Sequence, residues 1–221
     1  MFFKCFGGII RVVRFTYKGD HIMTRCIVID REYGSGGREV AKILSQKLGI
    51  KFYDGEQLVA AAKERNMEIG NMRDYDEKGV GSFLQNMALA FNTSNGVLVN
   101  DQPYKAFDAV AKVITTIGME EDSIFLGRCA KDLLEGKAEV LNIFIYATDV
   151  VQKIKRAEEV DHIEAKNVSQ YIKRKDQERS NYYRHFTEKE WGDKENYDLC
   201  LNTSTLGYEK AAQIIMDIYN K

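Results

Sequence analysis

The sequence predicts an α/β fold in which a parallel sheet is covered by helices on both faces. Three observations predict it. The stretches 26–30 (CIVID), 123–127 (SIFLG), 141–147 (LNIFIYA) and 197–204 (YDLCLNTS) are near-continuous apolar runs, as strands buried on both faces require. Helical sequence lies between each strand and the next, which implies parallel pairing through right-handed crossovers. A glycine-rich turn, Asp30 to Ala41 (DREYGSGGREVA), carries the first strand straight into an amphipathic helix.

Taken in order, residues 1–22 are apolar but interrupted by Lys4, Arg11, Arg14 and Lys18. They hold neither a continuous apolar core nor a small-residue cleavage site, so a signal peptide and a membrane span are not expected. Met23 stands just before the first strand, and 1–22 is read as an extension upstream of a start there, with one domain over 23–221. After the first strand, Val40, Ile43, Leu44 and Leu48 recur at helical spacing and Gly49 supplies the stop. KFYD (51–54) forms a second short strand, followed by a helix from Glu56 to about Arg65. Residues 66–122 are too long for one crossover. They contain SFLQNMALAF, a turn at Asn95 and Gly96, and a helix around KAFDAVAKVITTIG, which together read as an inserted lobe plus the helix returning to the third strand. Residues 150–195 form a long charged helical region ending in YYRHFTEKEWGD. The single proline is Pro103, and no flexible linker or repeat is present.

With 32 basic and 33 acidic residues, no global field favours nucleic acid or an anionic membrane, so neither is expected as a partner. Any anion site must be built locally. Cys5, Cys26, Cys129 and Cys200 are scattered, three of them in or beside strands, and are read as buried reduced thiols of a cytoplasmic protein. His21, His162 and His185 are too far apart to suggest a metal site. Tyr182, Tyr183 and Trp191 are read as packing residues.

A helix that starts after a strand leaves its first N–H groups unpaired at the carboxyl edge of the sheet, where its dipole also favours an anion. Gly34, Gly36 and Gly37 allow a concave nest of amides, to which Ser35 adds a hydroxyl. In the usual phosphate loop a lysine follows the last glycines, and a Ser or Thr that binds Mg2+ follows the lysine. Here Gly37, Arg38 and Glu39 stand in that place. Either Arg38 replaces the lysine as a planar phosphate ligand, or it points to solvent or pairs with Glu39 and the loop grips phosphate by backbone alone.

The order of strand, GSGGRE loop, KFYD, FLGRCA, charged DxxR helix and YDLCLNTS resembles the cytidylate kinase-like branch of the nucleoside monophosphate kinases, over nearly all of residues 24–219. The resemblance implies a P-loop kinase fold: a five-stranded parallel sheet flanked by helices, a helical acceptor-binding insertion within 66–122, and a lid within 150–195. It implies ATP and Mg2+ as cofactors and a nucleoside monophosphate or similar phosphorylated small molecule as partner.

By the same resemblance the loop residues Gly34, Ser35, Gly36, Gly37, Arg38 and Glu39 hold the donor phosphates. Asp54 contacts the acceptor, although an N-cap for the next helix explains it equally well. Arg128 binds the acceptor phosphate, since it lies just past the third strand on the edge where open parallel sheets bind ligands. Asp176 and Arg179, one helical turn apart, reach from the lid into the acceptor site. Arg38, Arg128, Asp176 and Arg179 are the expected catalytic set, with Arg174 and Arg184 near enough to join it. The sequence departs from true cytidylate kinases at the loop lysine, at the hydroxyl after it, and at GRCA, where those enzymes continue with an aspartate. The expected activity is transfer of the ATP γ-phosphoryl to a CMP-like acceptor. The alternatives are a nucleotide-binding regulator of the same fold, or a kinase of another small molecule.

Overall fold

The computed structural model describes residues 17–18, 21–67, 102–164 and 166–221. Two short strands, β1 (Tyr17–Lys18) and β2 (His21–Ile22), pair antiparallel ahead of the main sheet. That sheet consists of β3 (Arg25–Arg31), β4 (Lys51–Tyr53), β5 (Ser123–Leu126), β6 (Glu139–Tyr146) and β7 (Leu199–Asn202). Its spatial order is β4-β5-β3-β6-β7, with every pair parallel.

Alternation along β3 explains why both faces are covered. Cys26 and Val28 face one side, where they meet α2 (Gly55–Glu64), α3 (Gln102–Glu120) and α4 (Ala130–Leu134) through Leu58, Ile114 and Leu134. Ile27 and Ile29 face the other, against α1 (Gly37–Leu48) and α7 (Thr203–Tyr219) through Val40, Leu44, Ala211 and Ile215. Leu44 is completely buried, so truncating it to Ala costs about 2–5 kcal/mol.

All five expected strands are present. β6 begins earlier than its apolar run because Glu139 pairs with Arg25 in register and donates its N–H to the Thr24 carbonyl at 2.9 Å. The last run is divided: Asn202 accepts from the Ser204 N–H at 3.0 Å and caps α7, so residues 203 and 204 are helical. Cys200 corrects the expectation of a buried thiol; it is exposed because β7 is an edge strand. SFLQNMALAF, the Asn95–Gly96 turn and Cys5 lie outside the described residues.

The charged region contains α5 (Val150–Glu159) and α6 (Val168–Thr187). They pack through Ala157, Val168 and Ile172, and Tyr33 of the glycine-rich turn joins them. Among the described residues no helix is long and apolar enough to cross a membrane. Since β3 has β5 on one side and β6 on the other, the connections leave in opposite directions and a crevice opens at its carboxyl end.

Candidate active site

That crevice contains the glycine-rich turn. Gly36 is the N-cap of α1, in left-handed conformation (φ 81°), and no side chain caps the helix. The first-turn amides of α1 therefore face the cleft without a side-chain acceptor. A Cβ on Gly36 would lie 2.1 Å from the Tyr208 ring, so this position excludes any side chain. Gly34 lies under the Lys153 carbonyl.

The turn is held from several elements at once. Ser35 is buried with its Oγ 2.8 Å from the Glu32 carbonyl and 3.2 Å from the Ile145 carbonyl, so its hydroxyl points inward instead of joining a phosphate cradle. Thr203 Oγ1 donates to the Ser35 carbonyl at 2.7 Å. Glu32 Oε2 accepts from the Ala147 N–H and from Lys153 Nζ, both at 3.1 Å. Asp176 Oδ1 accepts from the Tyr33 N–H at 2.6 Å, and its other oxygen lies 3.6 Å from Lys153 Nζ. Asp176, expected in the acceptor site, thus grips the loop backbone, and burial raises its pKa. Glu39 accepts from Arg156 Nη2 at 2.7 Å.

Two clefts open here. One, of about 380 Å³, lies over the turn and is lined by Gly34, Gly36, Gly37 and Arg156. The second, of about 290 Å³, lies beyond it, between Asp54, Glu56, Arg128, Lys175 and Tyr182. Both are lined by Arg31, Tyr33, Arg38 and Arg179, which mark where they meet.

Arginine dominates that junction. Arg128 sits in Gly127-Arg128-Cys129, three successive residues with left-handed φ of 69°, 63° and 55°. Non-glycine residues in this region cost about 1–3 kcal/mol each and persist where the surroundings hold them. Arg179 donates to the Arg31 carbonyl at 2.8 Å and lies over the Tyr33 ring. Desolvation, together with the nearby Arg179 and Arg128, lowers the pKa of Arg31 to about 9, against the opposing charges of Asp30 and Asp54. Arg128 and Arg179 are likewise lowered, chiefly by desolvation. Packed cations that lower one another's basicity form a site complementary to a multiply charged anion.

Arg38 takes neither expected course. Its Nη2 lies 2.5 Å from Asp54 Oδ2, so it reaches across the junction to the far cleft. Asp54 meanwhile caps α2, accepting through Oδ1 from the Glu56 and Gln57 amides at 3.0 and 3.2 Å. The N-cap is real, and the residue also lines the cleft. Arg174 and Arg184 are exposed on α6, pair with Glu178 and Glu190, and line neither cleft. Tyr182 and Tyr183 are buried, packing as expected and also walling the far cleft.

Sequence reasoning missed Arg31 and Asp30. Burial raises the Asp30 pKa to about 6, opposed by Arg31 and by the Tyr197 hydroxyl, 3.3 Å from its carboxylate. A charged pair closing an otherwise apolar strand was the available signal, and the same signal singled out Arg128. Lys153, Glu32 and Arg156 left no signal, because each is one charge among many on a polar segment.

The cradle of open amides and close-fitting glycines fits nucleotide phosphates. For Mg2+ the fit is a single oxygen donor. Glu39 Oε2 is buried without a hydrogen-bond partner, near where such loops place a hydroxyl, and Mg2+ is ordinarily held by one or two carboxylates with phosphates and waters completing the shell. Among the described residues no group of three or more His, Cys, Asp or Glu converges as a metal site.

The chain is similar to several known proteins. An uncharacterized protein from Eubacterium ventriosum, known from its crystal structure, is 25% identical, covering 90% of this chain and 99% of its own, with TM-score 0.63. Shikimate kinase from Acinetobacter baumannii, in complex with shikimate, is 14% identical, covering 88% of this chain and 92% of its own, with TM-score 0.49. APS kinase from Mycobacterium tuberculosis, in complex with AMPPNP and APS, is 15% identical, covering 90% and 99%, with TM-score 0.49. A comparison with curated proteins found no match. The model of the cytidylate kinase-like family matches residues 26–205, from the first sheet strand to the start of α7, and the chain belongs to that family and has the P-loop kinase fold.

Proposed function

We propose that the protein transfers the γ-phosphoryl group of ATP to a nucleoside monophosphate, with a CMP-like acceptor favoured. The observation that carries this reading is the meeting of two clefts at Arg31, Arg38 and Arg179. One cleft ends in a phosphate-binding turn and the other in Arg128, so a phosphoryl group at the junction is within reach of both.

In this reading Gly34, Gly36 and Gly37 hold the donor phosphates through open amides, with Arg38 and Glu39 at the start of α1. ATP supplies the phosphoryl group, and Glu39 would hold Mg2+, which when bound would offset donor charge. Arg128 holds the acceptor phosphate, and Asp54 contacts the acceptor through the carboxylate that also anchors Arg38. Arg179 faces the transferring group while Asp176 keeps the turn and the α5–α6 lid in register. An acceptor oxygen bonds to the γ phosphorus as the bond to the bridging oxygen breaks, the electron pair leaving with ADP. Converging guanidiniums stabilise charge that spreads over the phosphoryl oxygens, which is the main work in such transfers.

The test is ADP production from Mg-ATP across CMP, dCMP, UMP, AMP and GMP. Turnover that rises with one nucleotide supports the reading. ATP binding with no acceptor-dependent turnover favours a second reading, a nucleotide-binding regulator. One observation favours that alternative: Arg38, Glu39 and the Tyr33 amide are already paired within the protein.

A further inference from the structure

We propose that Arg31, the last residue of β3, supplies the positive charge that phosphate loops ordinarily take from a lysine within the loop. The inference rests on the phosphotransferase reading and names the residue that does this work. Position 37 or 38 corresponds to the lysine, depending on which glycine is aligned with the usual pattern.

Both positions are accounted for. The position-38 side chain is engaged by a carboxylate, its Nη2 lying 2.5 Å from Asp54 Oδ2. Position 37 is a buried glycine, and a Cβ there would lie 2.6 Å from Arg31 Cβ and 2.8 Å from its Cγ. Arg31 therefore fills the space through which a lysine at 37 would have to leave the backbone. From there its guanidinium lies over Gly127, where a Cβ would be 2.7 Å from Nη1. Gly127 is thus needed for two reasons, the left-handed turn (φ 69°) and the approach of Arg31. The two glycine motifs, GSGG and LGRC, interlock around this one side chain.

Arg31 is also held as a ligand-directed group should be. Its carbonyl accepts from Arg179, and the residue lines both clefts, with Asp30 and Asp54 as nearby anions. Burial and neighbouring cations lower its pKa to about 9, so it remains cationic at neutral pH. An arginine on the strand offers a planar fork where lysine offers a point charge, which suits a group contacting two phosphates at once.

The experiment measures Mg-ATP affinity by calorimetry and turnover with the best acceptor, for wild type, Arg31→Gln, Arg38→Gln, Gly37→Lys and the double variant Arg31→Ala/Gly37→Lys, each checked for folding by thermal melting. Arg31→Gln is expected to weaken ATP binding roughly tenfold or more and to cut turnover roughly 100-fold or more, exceeding the loss in Arg38→Gln. Gly37→Lys alone is expected to be impaired, and removing the Arg31 side chain in the double variant to restore binding at least tenfold over Arg31→Gln. A larger loss in Arg38→Gln, wild-type affinity in Arg31→Gln, or a folded double variant without recovery overturns the proposal. Failure of the phosphotransferase reading looks different: wild type binds ATP but shows no acceptor-dependent turnover, and the affinity series still judges Arg31.

Discussion

Helices α1 and α2 both begin at the carboxyl edge of the sheet, on opposite faces of it, and their first turns are built in opposite ways. α2 is closed by its own sequence, since Asp54 accepts from two of its amides and Gln57 returns a bond to the Asp54 N–H in a capping box. α1 has glycine at the cap, no side-chain acceptor, and arginines around it. A helix start that satisfies itself is a structural joint. One left open beside converging cations is a receptor for an anion, and Arg38 joins the two by running from the open helix to the cap of the closed one.

The sharpest way to break this contrast is at the cations. Arg128→Ala should lower acceptor-dependent turnover by about 100- to 1,000-fold with the fold retained, read by steady-state kinetics beside a melting curve; near-normal turnover in a folded variant contradicts its role. Next is the open cap: Gly36→Ala should weaken ATP binding about 100-fold, equivalent to about 3 kcal/mol, because its Cβ meets the Tyr208 ring. Gly49→Ala is the control at the other end of α1. Nothing lies within 4 Å of its Cβ, so that variant should lose about 1 kcal/mol of stability and keep its ATP affinity.

The buried acid beneath the junction predicts a pH effect. Asp30 holds its proton in the fold up to about 6, whereas the unfolded chain releases it near 3.8. The folded state binds the extra proton between those values, so this group's contribution to stability is highest below about 4, declines up to about pH 6 and then levels. The span corresponds to a decline of at most about 3 kcal/mol. Asp30→Asn should flatten that part of the melting-temperature profile; an unchanged profile contradicts the shift. The smallest effect belongs to the closed cap: Asp54→Ala should cost about 1 kcal/mol through the lost cap, and Asp54→Asn distinctly less, as melting will show.

Apolar strands and helical spacing made the sheet legible, because burial on both faces leaves little choice of residue in β3, β5 and β6. The open turn was equally legible, since glycines followed by an amphipathic helix have few other uses. Direction was hidden. Residues 38 and 39 are adjacent in the sequence, yet one runs to Asp54 and the other to Arg156 on α5. Asp176 was expected in the acceptor site, but its carboxylate accepts from the Tyr33 amide, a backbone group that no sequence pattern displays. Arg31 stood inside the motif without a role because its neighbour across the fold, Gly127, is 96 positions along the chain.

The most direct measurement follows the phosphoryl group itself. Wild-type protein is incubated with ATP labelled in the γ-phosphoryl, Mg2+ and CMP, and the label is traced to acceptor or inorganic phosphate, with Arg128→Ala alongside. Two clefts meeting at an arginine junction predict label on the nucleotide acceptor, nearly lost in the variant. Label that stays on ATP, or passes only to water at the same rate in both proteins, contradicts the account.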